Sequence, residues 1–262
     1  MTKKRFFTVS YHLNVRKPKN IIDSIYPCIY LKREEFVIIV LKISTTLKFK
    51  RIIYMFEQGV IRPPSEAASL LVRVTRNCPW NRCHFCPAYK GKRFSKRTVE
   101  EVKSDIDEMA GMYSSVSGGF QSAFLQDADS LIVPADELVE IITHIKKRFP
   151  AINRITTYAR AKSMKRKTPS AYGQLMEAGL NRIHTGMESG SRNVLKMISK
   201  GITPEDIQEG GKRVAGSGIS LSMYVMPGVG GRSLSREQEA GLLAAVIGAP
   251  GGITGKPKGF VG

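Results

Sequence analysis

Cys78, Cys83 and Cys86 fall within nine residues, in the run Arg76-Asn77-Cys78-Pro79-Trp80-Asn81-Arg82-Cys83-His84-Phe85-Cys86-Pro87. Three thiolates on one tight loop are able to hold three irons of a four-iron cluster. A [4Fe–4S] site is ordinarily held by four cysteines. Three leave one coordination position open to a small molecule, as catalytic metal sites do. Two other chemistries use the same residue types. Zinc takes a Cys₃His set, here the three thiolates plus His84. His84 lies between Cys83 and Cys86, however, with little reach to a metal its neighbours grip, and no second Cys/His pair follows at zinc-finger spacing. A disulfide to a residue outside the loop has only Cys28 to use, in a chain whose start does not read as secreted.

The segments around this loop alternate regularly. Ser69–Val74 is a short β-like run leading straight into the cysteines. Thr98 and Glu101 are spaced as a capping box, and Val102, Ile106, Met109 and Tyr113 fall on one helical face. A strand is expected at Ala123–Leu125, then a helix striped by Leu138, Ile141, Ile142 and Ile145. Arg154–Tyr158 reads as a third strand, with a helix over 168–178 stopping at Gly179. Asn181–Met187 is the fourth strand, followed by a helix over 191–199 and another opened by Thr203-Pro204-Glu205-Asp206. Ile219–Val225 is the fifth strand, and 234–247 the last expected helix. Such alternation implies right-handed βαβ units around a parallel sheet, with the chemistry at the carboxyl ends of the strands. The cysteine loop follows the first strand and so belongs at that end.

At 262 residues the chain is long enough for one large domain or two small ones. Its net charge is +19, and residues 1–52 alone carry twelve Lys or Arg against three acids, a balance of +9. A basic excess favours nucleic acid or anionic surfaces, although no aromatic stacking pattern accompanies it and a solvated basic extension has the same composition. The basic start Met1–Phe7 is not followed by a sustained apolar stretch, and the longest apolar run, Phe36–Leu41, is too short to span a bilayer. The expectation is a cytoplasmic chain without membrane contact. It divides into a basic N-terminal extension, 1–52, which includes short β-like runs and a possible hairpin, a core, 53–247, and a Gly/Pro-rich tail, 248–262.

Taken together, the cysteine loop and the strand ends that follow it resemble the radical S-adenosylmethionine (radical SAM) superfamily, from about Ser65 to about Gly231. The loop has the form C-x4-C-x2-C, with Phe85 where the family carries an aromatic residue beside the adenine; the commonest family spacing is one residue shorter between the first two cysteines. The resemblance implies a partial (βα) barrel, here losing its pattern after the fifth unit and so incomplete at its C-terminus. It implies two cofactors: a [4Fe–4S] cluster on Cys78, Cys83 and Cys86, and S-adenosyl-L-methionine chelated at the open iron. Reductive cleavage would give a 5′-deoxyadenosyl radical acting on an unknown substrate, with an electron donor such as flavodoxin or ferredoxin.

The resemblance also assigns S-adenosylmethionine contacts. Asp127, in Gln126-Asp127-Ala128-Asp129-Ser130, stands where the family has a glycine-rich motif near the ammonium; Asp129 and Ser130 also read as caps of the next turn. Arg160 or Tyr158 would face ribose or carboxylate, unless Arg160 is an ordinary surface ion pair. Glu188 and Ser189, in Thr185-Gly186-Met187-Glu188-Ser189-Gly190-Ser191, would take a ribose hydroxyl or the amino group. Lys200 would pair with the carboxylate, or be a solvated residue before the Gly201 cap. Met226, in Val225-Met226-Pro227-Gly228-Val229-Gly230-Gly231, would flank the adenine through its backbone, or belong to a simple Gly-rich turn. Two further readings are a metal-stabilised RNA-binding module, marked by steeply salt-dependent RNA binding, and a truncated, inactive relative.

Overall fold

Alternating apolar runs have one economical way to bury themselves, which is to pair edge to edge and cover one face with the intervening helices. The chain does this in the present computed structural model, which describes residues 8–11, 56–114, 119–226 and 228–230. Residues 1–12 and 56–262 make up one compact unit and 13–55 another, and all the described residues belong to the first.

In chain order the strands are β1 (Thr8–Tyr11), β2 (Leu70–Arg73), β3 (Thr75–Arg76), β4 (Ser95–Lys96), β5 (Ser122–Gln126), β6 (Arg154–Tyr158), β7 (Leu180–Glu188) and β8 (Ser220–Val225). Six of them form one sheet in the order β1-β8-β7-β6-β5-β2, with every neighbouring pair parallel. β3 and β4 form a separate two-residue antiparallel ladder. The five expected strands are all present and add to the sheet in sequence. The sixth position, beside β8, is taken by Thr8–Tyr11, pairing Thr8 with Ser222 and Tyr11 with Val225. This stretch of the N-terminal extension was expected at most to form a hairpin; instead it lies parallel to a strand more than two hundred residues away in sequence, which no local pattern signals. Among the described residues β1 and β2 are the two edges and do not pair with each other, so the described sheet is an open partial barrel. The rest of 1–52, the expected helix over 234–247 and the tail 248–262 lie outside the described residues.

The helices are α1 (Val99–Met112), α2 (Ala135–Arg148), α3 (Ala161–Arg166), α4 (Pro169–Ala178), α5 (Arg192–Met197) and α6 (Pro204–Gly216). The capping box of Thr98 and Glu101 starts α1, and a second, of Thr203 and Asp206, starts α6. Val102, Ile106 and Met109 of α1, and Leu138, Ile141, Ile142 and Ile145 of α2, are buried as their spacing requires. They pack with Ala123, Leu125, Ile155, Ile183 and Leu221 into the main core, between helices and sheet. Tyr113 ends the α1 stripe as a half-buried ring between Phe56 and Phe120.

Two helices differ from expectation. The helix over 191–199 stops at Met197, because Ser199 and Gly201 take left-handed conformations (φ +52° and +70°) that end a right-handed helix. α3 was not anticipated. Its start is capped from another strand end, where Asp129 accepts from the Arg160 N–H (3.2 Å) and the Ser163 hydroxyl (2.6 Å). No helix among the described residues is long and apolar enough to cross a membrane.

Two glycines in helices make opposite demands. A Cβ on Gly173 of α4 would meet nothing within 4 Å, whereas one on Gly210 of α6 would lie 2.9 Å from the Ala161 carbonyl oxygen and 3.0 Å from the Met164 Cβ. Gly173→Ala should therefore stabilise the chain by about 0.5–1 kcal/mol through helix propensity. Gly210→Ala should cost about 1–3 kcal/mol, because a backbone carbonyl in a close helix–helix contact cannot yield. Urea titrations of both variants should move the midpoint in opposite directions.

Candidate active site

The cysteine loop has almost no regular structure of its own, so its shape must come from side-chain ties. The β3–β4 ladder closes the base of the excursion. Asn77 and Asn81 adopt left-handed backbone (φ +66° and +48°), which asparagine tolerates better than most residues. Both side chains then lace the loop: Asn77 Nδ2 donates to the Arg93 carbonyl (2.6 Å), and Asn81 Nδ2 donates to the carbonyls of Tyr89 and Lys92. The Asn81 N–H points at the Cys78 sulfur, 3.5 Å away.

Asp127, at the end of β5, ties both limbs of the loop to the sheet. One carboxylate oxygen accepts from Arg73 Nε (3.0 Å), Arg73 Nη2 (2.8 Å) and the Asn77 N–H (2.9 Å), and the other lies 3.4 Å from the Tyr89 hydroxyl. Its side chain has no exposed surface. The carboxylate expected beside an ammonium group is thus directed at Arg73, Asn77 and Tyr89 in this structure. A Cβ on Gly59 would sit 2.0 Å from the same carboxylate, so only glycine fits there.

The far side of the loop docks on the segment between α5 and α6. The His84 N–H donates to the Ile198 carbonyl (3.0 Å), and His84 Nε2 lies 2.9 Å from the Ser199 hydroxyl. Trp80 Nε1 donates to the Ser199 carbonyl (2.7 Å), and its ring fills the space a Gly201 side chain would need, 2.2 Å from that Cβ position. The His84 Nε2, one of the two nitrogens a Cys₃His zinc site could use, is thus directed at Ser199. Among the described residues no three His, Cys, Asp or Glu side chains, the three cysteines included, already stand as a set of metal ligands.

This docking brings Lys200 to the cysteines. Lys200 Nζ donates to Glu188 Oε1 (2.7 Å) and sits 5.4 Å from the centre of the Phe85 ring. Glu188 is held at φ +62° beside an irregularity in the β7–β8 register, and its carbonyl accepts from the Met226 N–H (2.9 Å). Gly186 leaves room for the pair, as its Cβ would be 2.2 Å from Glu188 Oε1 and 2.7 Å from Lys200 Nζ. Arg160 stacks its guanidinium over Trp80 at 5.4 Å and reaches the Lys200 carbonyl at 3.4 Å. Ser189, by contrast, is buried and its hydroxyl accepts from the Ser191 N–H (3.1 Å).

Arg160 and Lys200 thus act on Cys83, Lys200 touches Phe85 and Glu188, and Glu188 touches Met226, while Asp127 and Ser189 are engaged elsewhere. Sequence reasoning passed over Trp80, Asn81, Tyr89 and Gly186. The one available signal was Trp80, the only tryptophan of the chain and a member of the cysteine loop.

All three thiols are free and half-buried. Burial pushes the Cys83 thiol up from its ordinary pKa; Cys78 and Cys86 push it the same way, and the positive charges of Lys200 and Arg160 oppose them. Metal binding needs the thiolate form. The basic neighbours are therefore matched to a site that gathers negative sulfur, and three soft donors on one half-buried loop suit an iron–sulfur cluster.

Comparison with known proteins bears on the family and the fold. An uncharacterized methyltransferase of Pyrococcus horikoshii is 30% identical over 144 residues, covering 52% of this chain and 28% of that protein. The 4′-phospho-dehydrooxetanocin synthase of Priestia megaterium is 27% identical over 167 residues, covering 58% and 22%. The tRNA uridine(34) acetyltransferase of Methanocaldococcus infernus is 20% identical over 235 residues, covering 76% and 44%. The chain therefore spans less than half the length of these curated relatives. Among solved structures, the cobalamin-dependent S-adenosylmethionine radical enzyme OxsB matches with a TM-score of 0.54 at 23% identity, over 68% of this chain and 26% of its own. The radical S-adenosylmethionine methyltransferase TsrM of Kitasatospora setae, with cobalamin and a [4Fe–4S] cluster bound, matches with a TM-score of 0.50 at 18% identity, over 74% and 39%. Likeness at such identity establishes the shared fold. The family model of the radical SAM superfamily matches residues 72–240, more than half of the chain, and the protein belongs to that superfamily.

Proposed function

We propose that Cys78, Cys83 and Cys86 hold a [4Fe–4S] cluster and that the chain is an enzyme cleaving S-adenosylmethionine reductively, with electrons from a small donor protein such as flavodoxin or ferredoxin. The observation that carries this reading is one docked loop that bears three free thiols and sets Lys200, the partner of Glu188, to act on Cys83. When bound, the two groups supply a one-electron scission of a carbon–sulfur bond, leaving methionine and a 5′-deoxyadenosyl radical; the protein's part is to bind, orient and exclude side reactions.

The residues present divide that work by charge. Lys200 offers an ammonium to a carboxylate, and Glu188 offers lone pairs to an ammonium or hydroxyl. Each holds the other in place, since their side chains are only 14% and 9% exposed and an unpaired charge there would be costly. Phe85 supplies an apolar ring face to an adenine, and Met226 supplies backbone beside it. Arg160, stacked on Trp80, keeps positive charge near the sulfur ligands without entering the ligand set. Asp127 and Ser189 act indirectly, by holding the loop and the turn after β7.

Two experiments test the reading. Anaerobic reconstitution with iron and sulfide should give a brown protein, and the full chain with Cys83→Ala should lose both the visible absorption and the stoichiometric iron and sulfide. Zinc in place of iron in an air-free preparation, or no 5′-deoxyadenosine from reduced wild type, would overturn it.

Lys200→Met should weaken S-adenosylmethionine binding about 10–100-fold, the worth of one or two charge-assisted hydrogen bonds, while cluster content stays near wild type. That variant also strands Glu188. Adding Glu188→Gln should recover stability without recovering affinity, and a double-mutant cycle separates the two effects. Wild-type affinity in Lys200→Met would remove Lys200 from the site.

A further inference from the structure

The face of the sheet turned away from the helical core holds a second cluster of titratable side chains, which the chemistry above does not use. Phe124, Tyr158, His184 and Tyr224 come from four successive strands and pack ring against ring. Phe124 meets Tyr158 edge-on at 5.1 Å, Tyr158 meets His184 at 6.1 Å, and His184 stacks on Tyr224 at 6.0 Å. Glu66, on the turn before β2, is completely buried next to them.

One Glu66 oxygen accepts from the Ser69 hydroxyl (2.6 Å) and from Arg154 Nη2 (3.1 Å). Its other oxygen, Oε1, faces His184 Nε2 at 3.4 Å, and neither of these two atoms makes a hydrogen bond elsewhere among the described residues. The second ring nitrogen, Nδ1, lies 3.1 Å from the Tyr224 hydroxyl. Burial would raise the Glu66 pKa, but His184, Ser69 and Arg154 outweigh it and hold the carboxyl below its ordinary value, so it is charged. A carboxylate only accepts, which calls for a proton on Nε2, and a neutral imidazole then offers Nδ1 as an acceptor to the Tyr224 hydroxyl. His184 therefore carries its proton on Nε2 and accepts at Nδ1, an assignment made from the network.

The Tyr158 ring is tilted against that of Tyr224, with centroids 6.3 Å apart, and the hydroxyls of Tyr158 and Ser222 are the further hydrogen-bonding neighbours of the Tyr224 hydroxyl. With the Tyr224 proton directed at His184, the Tyr224 oxygen is left to accept from Tyr158 and Ser222, so the Tyr158 hydroxyl takes the donor role towards Tyr224 and keeps a lone pair to accept. Donors thus run one way, from Tyr158 through Tyr224 and His184 to Glu66. Both phenols are pushed up from their ordinary pKa by burial, Tyr224 to about 12, with Glu66 adding to the effect and Arg182 opposing it for Tyr224. Glu188 is the further charged group facing Tyr158.

The half-buried tyrosines mark the outer end of this chain. Each stands two residues before a residue of the proposed cofactor site, Tyr158 before Arg160 and Tyr224 before Met226. That separation is roughly 7 Å along an extended backbone. The fully buried Glu66 marks the inner end.

We infer that Tyr158, Tyr224, His184 and Glu66 form a directional proton relay that accepts a proton from a substrate bearing a hydroxyl or amine, with Tyr158 the group that meets it. The substrate X–H bond breaks and its electron pair stays on X. The proton forms a new O–H bond on Tyr158 as the Tyr158 proton passes to Tyr224 and that of Tyr224 to His184 Nδ1. The resulting imidazolium is held by the Glu66 carboxylate, so no oxidant or reductant is needed. His184 and Glu66 are positioning residues, in the arrangement by which a carboxylate orients a histidine towards a hydroxyl. Only the choice of which end meets substrate rests on the function proposed above.

The full chain labelled with ¹⁵N-histidine and ¹³Cζ-tyrosine tests the relay without any cluster. His184 is expected in the Nε2–H form with a hydrogen-bonded Nδ1, and protonating it should shift both Tyr224 and Tyr158. In Tyr224→Phe, which keeps the ring packing, the shift at Tyr158 should be lost. An Nδ1–H tautomer, or a Tyr158 signal indifferent to His184, overturns the relay. In reconstituted protein, added S-adenosylmethionine should shift Tyr158 and Tyr224 but leave Tyr172, bonded to the Met164 carbonyl inside the helical core, unmoved. A cluster-loaded protein whose Tyr158 ignores the cofactor would refute the placement, whereas failure to assemble a cluster would sink the proposed function and leave the tautomer result standing.

Discussion

A loop with no core of its own carries the cysteines, and one buried carboxylate keeps it in place. Asp127 gathers the Arg73 guanidinium at the end of β2, the Asn77 N–H at the loop entrance and the Tyr89 hydroxyl at its exit. A buried ion pair of this kind is weak evidence of net stability, because desolvating the charges offsets most of their attraction. What it supplies is position. Removing either partner would leave a charge buried and uncompensated, so the two limbs of the loop cannot part from the strand ends without a penalty of several kcal/mol.

The second attachment links the loop to the proposed cofactor residues. Trp80 and His84 seat on Ile198–Gly201, and that contact determines where Lys200 stands. Glu188 completes the link in a left-handed conformation, which a non-glycine residue keeps only where its surroundings enforce it. Here the enforcement comes from the Lys200 ion pair on the side chain and the Met226 N–H on the carbonyl. The close fits at Gly186 and Gly201 follow from the same crowding: two elements distant in sequence share space that only a hydrogen atom in place of a side chain leaves open.

The two faces of the sheet separate the apolar core from the aromatic and titratable cluster. Ala123, Leu125, Ile155, Ile183 and Leu221 belong to the apolar core with the helices. Alternate residues on the same strands place Phe124, Tyr158, His184 and Tyr224 on the opposite side. The period of two in an extended strand makes this division unavoidable once the core face is chosen.

Local pattern was enough for much of this molecule. The spacing of Cys78, Cys83 and Cys86, the stripes of α1 and α2, the capping boxes at Thr98 and Thr203 and the order of five strands all lie within windows of a few residues, where periodicity and hydrogen-bonding chemistry act directly. What only the folded chain decided lies between windows. Asp127 became an anchor because Arg73 and Asn77 converge on it, and α3 exists because Asp129 caps it from another strand. β1 joined the sheet beside a strand at the other end of the chain, and Glu66 met His184 across the sheet. Each of these depends on two groups brought together by loop closure over tens to hundreds of residues, and a linear pattern carries no record of which distant partner a polar side chain will find.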